Sequence, residues 1–201
     1  MEKKDLKNKL KEPLSEYGHY TYADYLTWQM EEMVELIKGK IYRQAAAPRV
    51  NHQRVSGIVF TSLFNFLKGK KCEVFAAPFD VRLPFRSKEH EDIDTVVQPD
   101  ISVICDPEKL DELGCMGAPD LVVEILSLGN NSKELKNKYE VYEESGVREY
   151  WVIHPNESTL MIYSLVNGKF SPSRLFTVGD IVHSEVIKGF TLDLEEVFLE
   201  I

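Results

Sequence analysis

Two acids and a lysine carry the chemistry this sequence can offer. Glu124 interrupts the apolar run from Leu121 to Leu126, and Asp100 heads a second short apolar run, "DISVI". Runs of this length between turn signals read as strands buried on both faces, where an unpaired carboxylate is costly. Side chains alternate along a strand, so Asp120, Val122, Glu124 and Leu126 share one face, and Asp100 shares a face with Ser102 and Ile104. Two neighbouring strands would then each present one carboxylate. A hard divalent cation, Mg²⁺ or Mn²⁺, neutralises such a pair with carboxylate and water oxygens.

The positive partner comes from the helix that follows. At about 100° per residue, Leu135, Tyr139 and Tyr142 form one apolar stripe, and Lys138 falls inside it while Lys133 and Lys136 fall outside. Asn131 and Glu134 read as a capping-box-like start that sets this register. The sequence thus aims Asp100, Glu124 and Lys138 at one region, and a metal and Lys138 together would let Glu124 be buried. Each residue also has a plainer role open to it. Asp100 and Asp120 both follow Pro and can simply open a strand; Glu124 can form a structural ion pair with Lys138; Lys138 can reach solvent along its apolar stem.

The elements that must position these groups are legible in outline. "YTYADYLTWQMEE" reads as a short helix, and "VELIKGKIYRQAA" as two strands joined by a tight turn at Lys38-Gly39. The clearest helix is "NHQRVSGIVFTSLFNFLKG", capped by Asn51 and stopped by Gly69. Its stripe is Val55, Val59, Leu63 and Phe66, with His52 on the same side. "CEVFAAPFDVRLP" and "VVQPDISVICD" read as strands, and "FRSKEHEDIDT" between them as a polar, mobile loop. A helix over about Ser132 to Ser145, a strand "EYWVIHP", an Asn167-Gly168 hairpin, a last strand and a one-turn helix "LEEVF" complete the chain. The expected fold is α/β, a mixed central sheet flanked by helices with additional β-hairpins. Residues 1–18 are expected to form an N-terminal arm and 19–201 a single domain.

Composition narrows the function. The chain has 201 residues, 43% hydrophobic and 28% charged, which is an ordinary soluble composition. No apolar run is long enough to span a membrane, and the charged start lacks the apolar core of a secretory signal, so a cytoplasmic protein is expected. Cys72, Cys105 and Cys115 are widely spaced, which favours core thiols over a disulfide or a zinc site. The net charge is −9, yet Lys38 to Lys88 holds eleven Lys and Arg against two acids. That basic segment offers a face to phosphate, although segregated solvated charge accounts for it equally well.

Taken together, "QPDISVI", "APDLVVEILS", "K-x-x-x-Y" and "GVREYWVIHP", with "VELIKGKIY" and "P-x-x-N-H-Q-x-V" ahead of them, resemble the Uma-type restriction endonuclease family of bacteria. That family belongs to the PD-(D/E)XK nuclease superfamily, and the resemblance runs from about Tyr22 to Val197. It implies that Asp100 and Glu124 are metal ligands. It further implies that Lys138 replaces the superfamily lysine, whose position is held here by Leu126, and that Glu35 is a further site acid that binds metal through water. His52 matches a recurrent histidine whose role the residues do not disclose. Glu134 stands where the family commonly has Asp, and "IHP" where it commonly has "VDP". The expectation is a Mg²⁺- or Mn²⁺-dependent endonuclease, a homodimer acting on nucleic acid, DNA above all. Asp100, Glu124 and the Ile125 carbonyl would hold the ion, and Lys138 would serve the attacking water or the developing charge. The alternative is a catalytically inactive dimeric nucleic-acid-binding or interaction module with the same fold.

Overall fold

The computed structural model describes residues 18–28, 33–43, 49–127, 132–199 and 201, so the expected arm up to residue 17 and the Asn131–Glu134 capping contact lie outside the described residues. The first half of the chain contains α1 (Tyr22–Tyr25), β1 (Val34–Ile37), β2 (Lys40–Arg43), α2 (Val50–Leu67), β3 (Glu73–Ala76), β4 (Val81–Arg82), β5 (Val96–Val97) and β6 (Ile101–Ile104). There follow β7 (Leu110–Asp111), β8 (Gly114–Met116), β9 (Leu121–Ile125), α3 (Ser132–Ser145), β10 (Glu149–His154), β11 (Thr159–Val166) and β12 (Lys169–Pro172). The chain closes with β13 (Phe176–Thr177), β14 (Ile181–His183), β15 (Thr191–Asp193) and α4 (Leu194–Phe198).

These strands form two main sheets. The larger has the order β12-β11-β10-β9-β6-β3, with β13 added to β11, and the second has the order β2-β1-β5-β4-β8-β7. In the larger sheet β9 runs parallel to β10 and antiparallel to β6, so the sheet is mixed, as the sequence led us to expect. One of its faces is apolar through Ile101, Val103, Val123, Ile125, Trp151 and Ile153, and it packs on Val55, Val59 and Leu63 of α2 and Val197 of α4. The other face contributes Ile104, Val122, Leu126, Tyr150 and Val152 to a second cluster. Val141 and Tyr142 of α3 join it there, with Ile37, Val81 and Val97 from the second sheet. The layer between the two sheets and α3 is where the carboxylates gather.

Several local expectations change. The Lys38-Gly39 and Asn167-Gly168 turns are present, each with two consecutive positive φ angles, which is what a two-residue hairpin needs. Helix α2 starts before Asn51: Arg49 is the cap residue, in extended backbone and without a side-chain cap, so Asn51 lies inside the first turn. The run "VVQPDISVICD" is two strands in different sheets, since Pro99 cannot donate to a ladder and the chain crosses between layers at Gln98–Asp100. The polar segment after β4 is tied down rather than mobile. Ile93 is fully buried, and the carbonyls of His90 and Ile93 accept the Ala23 and Tyr22 amides.

The expected core thiols also need correction, for Cys72 and Cys105 are joined as a disulfide. The antiparallel register sets Glu73 opposite Ile104, so the next pair outward is Cys72 with Cys105. Cys115 remains a buried thiol. No helix among the described residues is long and apolar enough to cross a membrane.

Candidate active site

Register brings the two predicted acids together. Ile101 pairs with Val123 across β6 and β9, so the next antiparallel pair is Asp100 with Glu124. Asp100 is the last residue before β6, and its backbone carbonyl accepts the Ala77 amide at 3.0 Å, which holds this end of the strand to the β3 side. Its Oδ2 accepts the Ile125 amide at 2.7 Å. Its Oδ1 lies 3.1 Å from His52 Nε2, at the start of α2. Burial works against a charged His52. The hydrogen bond and charge of Asp100, then the Glu124 charge and the Ile125 carbonyl, nevertheless hold its pKa above the ordinary value. His52, whose role sequence reasoning left open, therefore orients Asp100.

Glu124 sits in the middle layer, 6% exposed, facing α3. Lys138 Nζ donates to both its oxygens, at 2.9 and 3.1 Å, and the Tyr142 hydroxyl donates to Oε1 at 2.6 Å. The same ammonium lies 3.0 Å from Glu35 Oε1, which β1 of the second sheet supplies. Glu35 also accepts the Gln98 amide at 2.8 Å. Alternation explains its aim: Leu36 faces the outer cluster with Tyr22 and Ile93, so Glu35 and Ile37 face inward. The four predicted side chains, Asp100, Glu124, Lys138 and Glu35, meet where two sheets and a helix converge. Lys138 is 4% exposed and does not reach solvent, so the snorkelling alternative is excluded.

The electrostatics show an excess of negative charge. Burial, then the carboxylates of Asp100 and Glu35, push the Glu124 pKa up to about 7 against the pull of Lys138. Burial opposes the Lys138 ammonium too, but its two carboxylate partners hold its pKa well above the ordinary lysine range. Tyr142 is driven well above the ordinary tyrosine range by burial and by Glu124, so its phenol remains a donor. Three carboxylates sharing one lysine and one histidine form a group that a further cation would relieve.

The donor set fits a hard divalent ion in kind, because Asp100 and Glu124 supply carboxylate oxygens and the adjacent Ile125 carbonyl is of the same class. Among the described residues no three His, Cys, Asp or Glu side chains already stand in a metal-holding group. An ion on Asp100 and Glu124 would therefore share Glu124 with Lys138 and draw the rest of its shell from backbone and water.

Two expectations find other places. Asp120 lies just before β9, four residues ahead of Glu124, and its carboxylate accepts the Cys105 amide and pairs with Arg148, both at 2.8 Å; it opens the strand and stays out of the cluster. The basic segment does not form one face. Lys38 pairs with Glu144 at 2.9 Å, and Arg82 is fully buried beside Asp111. Lys68, Lys70 and Lys71 are exposed beyond the far end of α2, so at about 1.5 Å per residue Lys68 stands roughly 24 Å along the axis from His52. Sequence reasoning missed Tyr142 as a partner of Glu124. It stands one turn after Lys138, so its hydroxyl could have been counted with Lys138, and its aromatic ring hid that signal in the apolar stripe.

Comparison with known proteins agrees with this architecture. The chain is 23% identical over 154 residues to the "Uncharacterized protein slr1290" of Synechocystis sp., which covers 75% of this chain and 77% of that relative. Its fold is similar to the crystal structure of "a putative nuclease belonging to DUF820" from Anabaena variabilis. The TM-score there is 0.70 at 21% identity, over 90% of this chain and 98% of that one. The Uma2 family model, described as "Putative restriction endonuclease", matches residues 22–195, and the chain belongs to that family.

Proposed function

We propose that the chain is a divalent-metal-dependent endonuclease that hydrolyses phosphodiester bonds in nucleic acid, with DNA as the substrate. The observation that supports this most is the convergence of Glu124 and Glu35 on one buried lysine, with Asp100 paired beside Glu124, at the junction of two sheets. In this reading Asp100, Glu124 and the Ile125 carbonyl hold Mg²⁺ or Mn²⁺. The ion, when bound, supplies a lowered water pKa and charge for the pentavalent phosphate.

The protein's own groups orient the rest. His52 and the Ile125 amide fix the Asp100 carboxylate. Tyr142 fixes Glu124 from the helix side. Lys138, once one of its contacts to Glu124 or Glu35 is released, presents an ammonium to the attacking water or to the phosphate oxygens. The exposed lysines beyond α2 meet the nucleic-acid backbone away from the scissile bond and add a salt-dependent contribution to binding. A homodimer is part of this reading, supported by a groove of about 630 Å³ along α2 and α4 that Ile58, Val197 and the exposed Leu199 line. So is a cytoplasmic location, where DNA is found; the Cys72–Cys105 disulfide weighs against it.

A second reading draws on one specific observation. Lys138 already spends its donors on Glu124 and Glu35, as a lysine retained for structure in an inactive binding module would. Incubating plasmid and single-stranded DNA with Mg²⁺ or Mn²⁺ separates the two. Wild type should cut and Asp100→Asn should not. A wild type that binds DNA but cuts none with either metal would support the inactive module.

A further inference from the structure

The face of the larger sheet that carries Glu124 continues sideways into a cavity of about 390 Å³. Val152 is the β10 partner of Glu124, and Met161 is the β11 partner of Val152. Tyr163 and Thr159 flank Met161 on the same face, His154 lies two residues beyond Val152, and the exposed Leu175 closes one side. Strands lie about 4.8 Å apart, so Met161 stands only about 10 Å across the sheet from Glu124.

From this adjacency we infer that the cavity over the face of β10 and β11 is a binding site for an unpaired nucleobase, that of a nucleotide flanking the phosphate held at Asp100 and Glu124. The inference rests on the nuclease reading for the position of that phosphate. The volume lies in the range of about 300–1,000 Å³ usual for small-molecule sites. Its walls suit a flat ring: the Tyr163 ring and the Val152 methyls are apolar, and the Met161 thioether is soft and adaptable. His154 and Thr159, which pair across β10 and β11, and the Glu157 carboxylate, an acceptor for a base's amino or imino group, add hydrogen-bonding groups for the edge of the base. Burial lowers the His154 pKa against the opposing charge of Glu157. A base stacked within a duplex cannot reach such a site this close to its own phosphate. It must be single-stranded or flipped out. The substrate class that follows is nucleic acid with at least one unpaired nucleotide beside the scissile bond.

Photo-crosslinking tests this on the whole chain. A short DNA single strand carrying 5-iodo-2′-deoxyuridine is irradiated with the protein, and adducts are mapped by mass spectrometry. Adducts should fall on His154, Met161 or Tyr163. Their yield should drop roughly tenfold or more when the iodouracil is paired in a duplex, and also in Met161→Trp, which fills the cavity, as expected for losing one stacked base. His154→Ala, which leaves the apolar walls intact, should lower the yield less and guards against a misfolded Met161→Trp. Absent adducts, adducts only elsewhere, or equal yields from paired and unpaired probes would overturn the inference. The same strands incubated with Mn²⁺ keep the two readings apart. Cavity adducts without cleavage would leave the base site standing and remove the nuclease, whereas cleavage without cavity adducts would do the reverse.

Discussion

Glu124 and Glu149 are both buried carboxylates on the parallel strands β9 and β10, and they are held in opposite ways. Glu149 is fully buried on the α2 side of the sheet. Its oxygens accept the Trp151 indole at 2.8 Å, the Ser184 hydroxyl at 2.7 Å and the Val186 amide at 3.0 Å. These three donors are all neutral. Glu124 on the other face has a lysine and a tyrosine, yet Asp100 and Glu35 stand near enough to push its pKa up to about 7. A carboxylate satisfied by neutral dipoles pins two segments together. One crowded by like charges around a shared lysine would be relieved by a further cation. Burial alone does not separate structure from function; the balance of charge around the group does.

The largest effect that sharpens this contrast is expected from Lys138→Met. The change leaves Glu124 and Glu35 buried without their ammonium and should cost about 3–5 kcal/mol at pH 8. Urea unfolding should show the loss shrinking toward pH 5, where Glu124 takes up a proton. A loss of the same size at both pH values would mean that packing, and not stranded charge, is what Lys138 supplies.

Next comes a pair of amide substitutions. Glu149→Gln should cost about 1–3 kcal/mol, because the amide turns a donor toward groups that need an acceptor. Hydrolysis per folded molecule should be unchanged. Glu124→Gln, by contrast, resembles the protonated acid and should alter stability at pH 6 much less, yet lower metal-dependent cleavage by about 100-fold or more. If the two variants exchanged these phenotypes, the division between the faces would collapse.

The most gradual effect is a slope. The folded pKa of Glu124 is about 7, above the model-peptide value of about 4.3 that it regains on unfolding. Between these values the folded chain holds a proton that the unfolded chain has lost, so stability falls as pH rises. The contribution is complete below the lower value and is lost as pH passes the upper one. Wild type should therefore lose stability between about pH 5 and pH 7.5 relative to Glu124→Gln, by at most about 1.4 kcal/mol per pH unit. Parallel pH profiles for the two proteins would show that Glu124 stays charged throughout.

Much of the site was legible because it follows local periodicities. Two-residue alternation placed Glu124 inward and Asp100 on a like face, and helical spacing singled out Lys138 among its neighbours. What stayed hidden depends on pairings distant in the chain. That "VVQPDISVICD" divides between two sheets follows from where β1 and β9 lie, and no pattern within the segment reveals it. Cys72 and Cys105 look unrelated until the β3–β6 register sets them side by side. Glu149 reads as an ordinary strand residue, because its Ser184 partner is supplied 35 residues later. Charge counting misled for a similar reason: Lys38 and Arg82 belong to a basic stretch of sequence, but acids from elsewhere in the chain neutralise both.

Thermal unfolding with and without millimolar Mn²⁺ tests the central claim most directly, on wild type, Asp100→Asn and Glu149→Gln together. Binding to the folded state raises stability by RT ln(1 + [L]/Kd), about 2.7 kcal/mol when the ion stands at 100 times its Kd. Wild type and Glu149→Gln should both gain melting temperature with Mn²⁺, and Asp100→Asn should gain none. No gain in wild type, or an equal gain in Asp100→Asn, would contradict a cation site at Asp100 and Glu124.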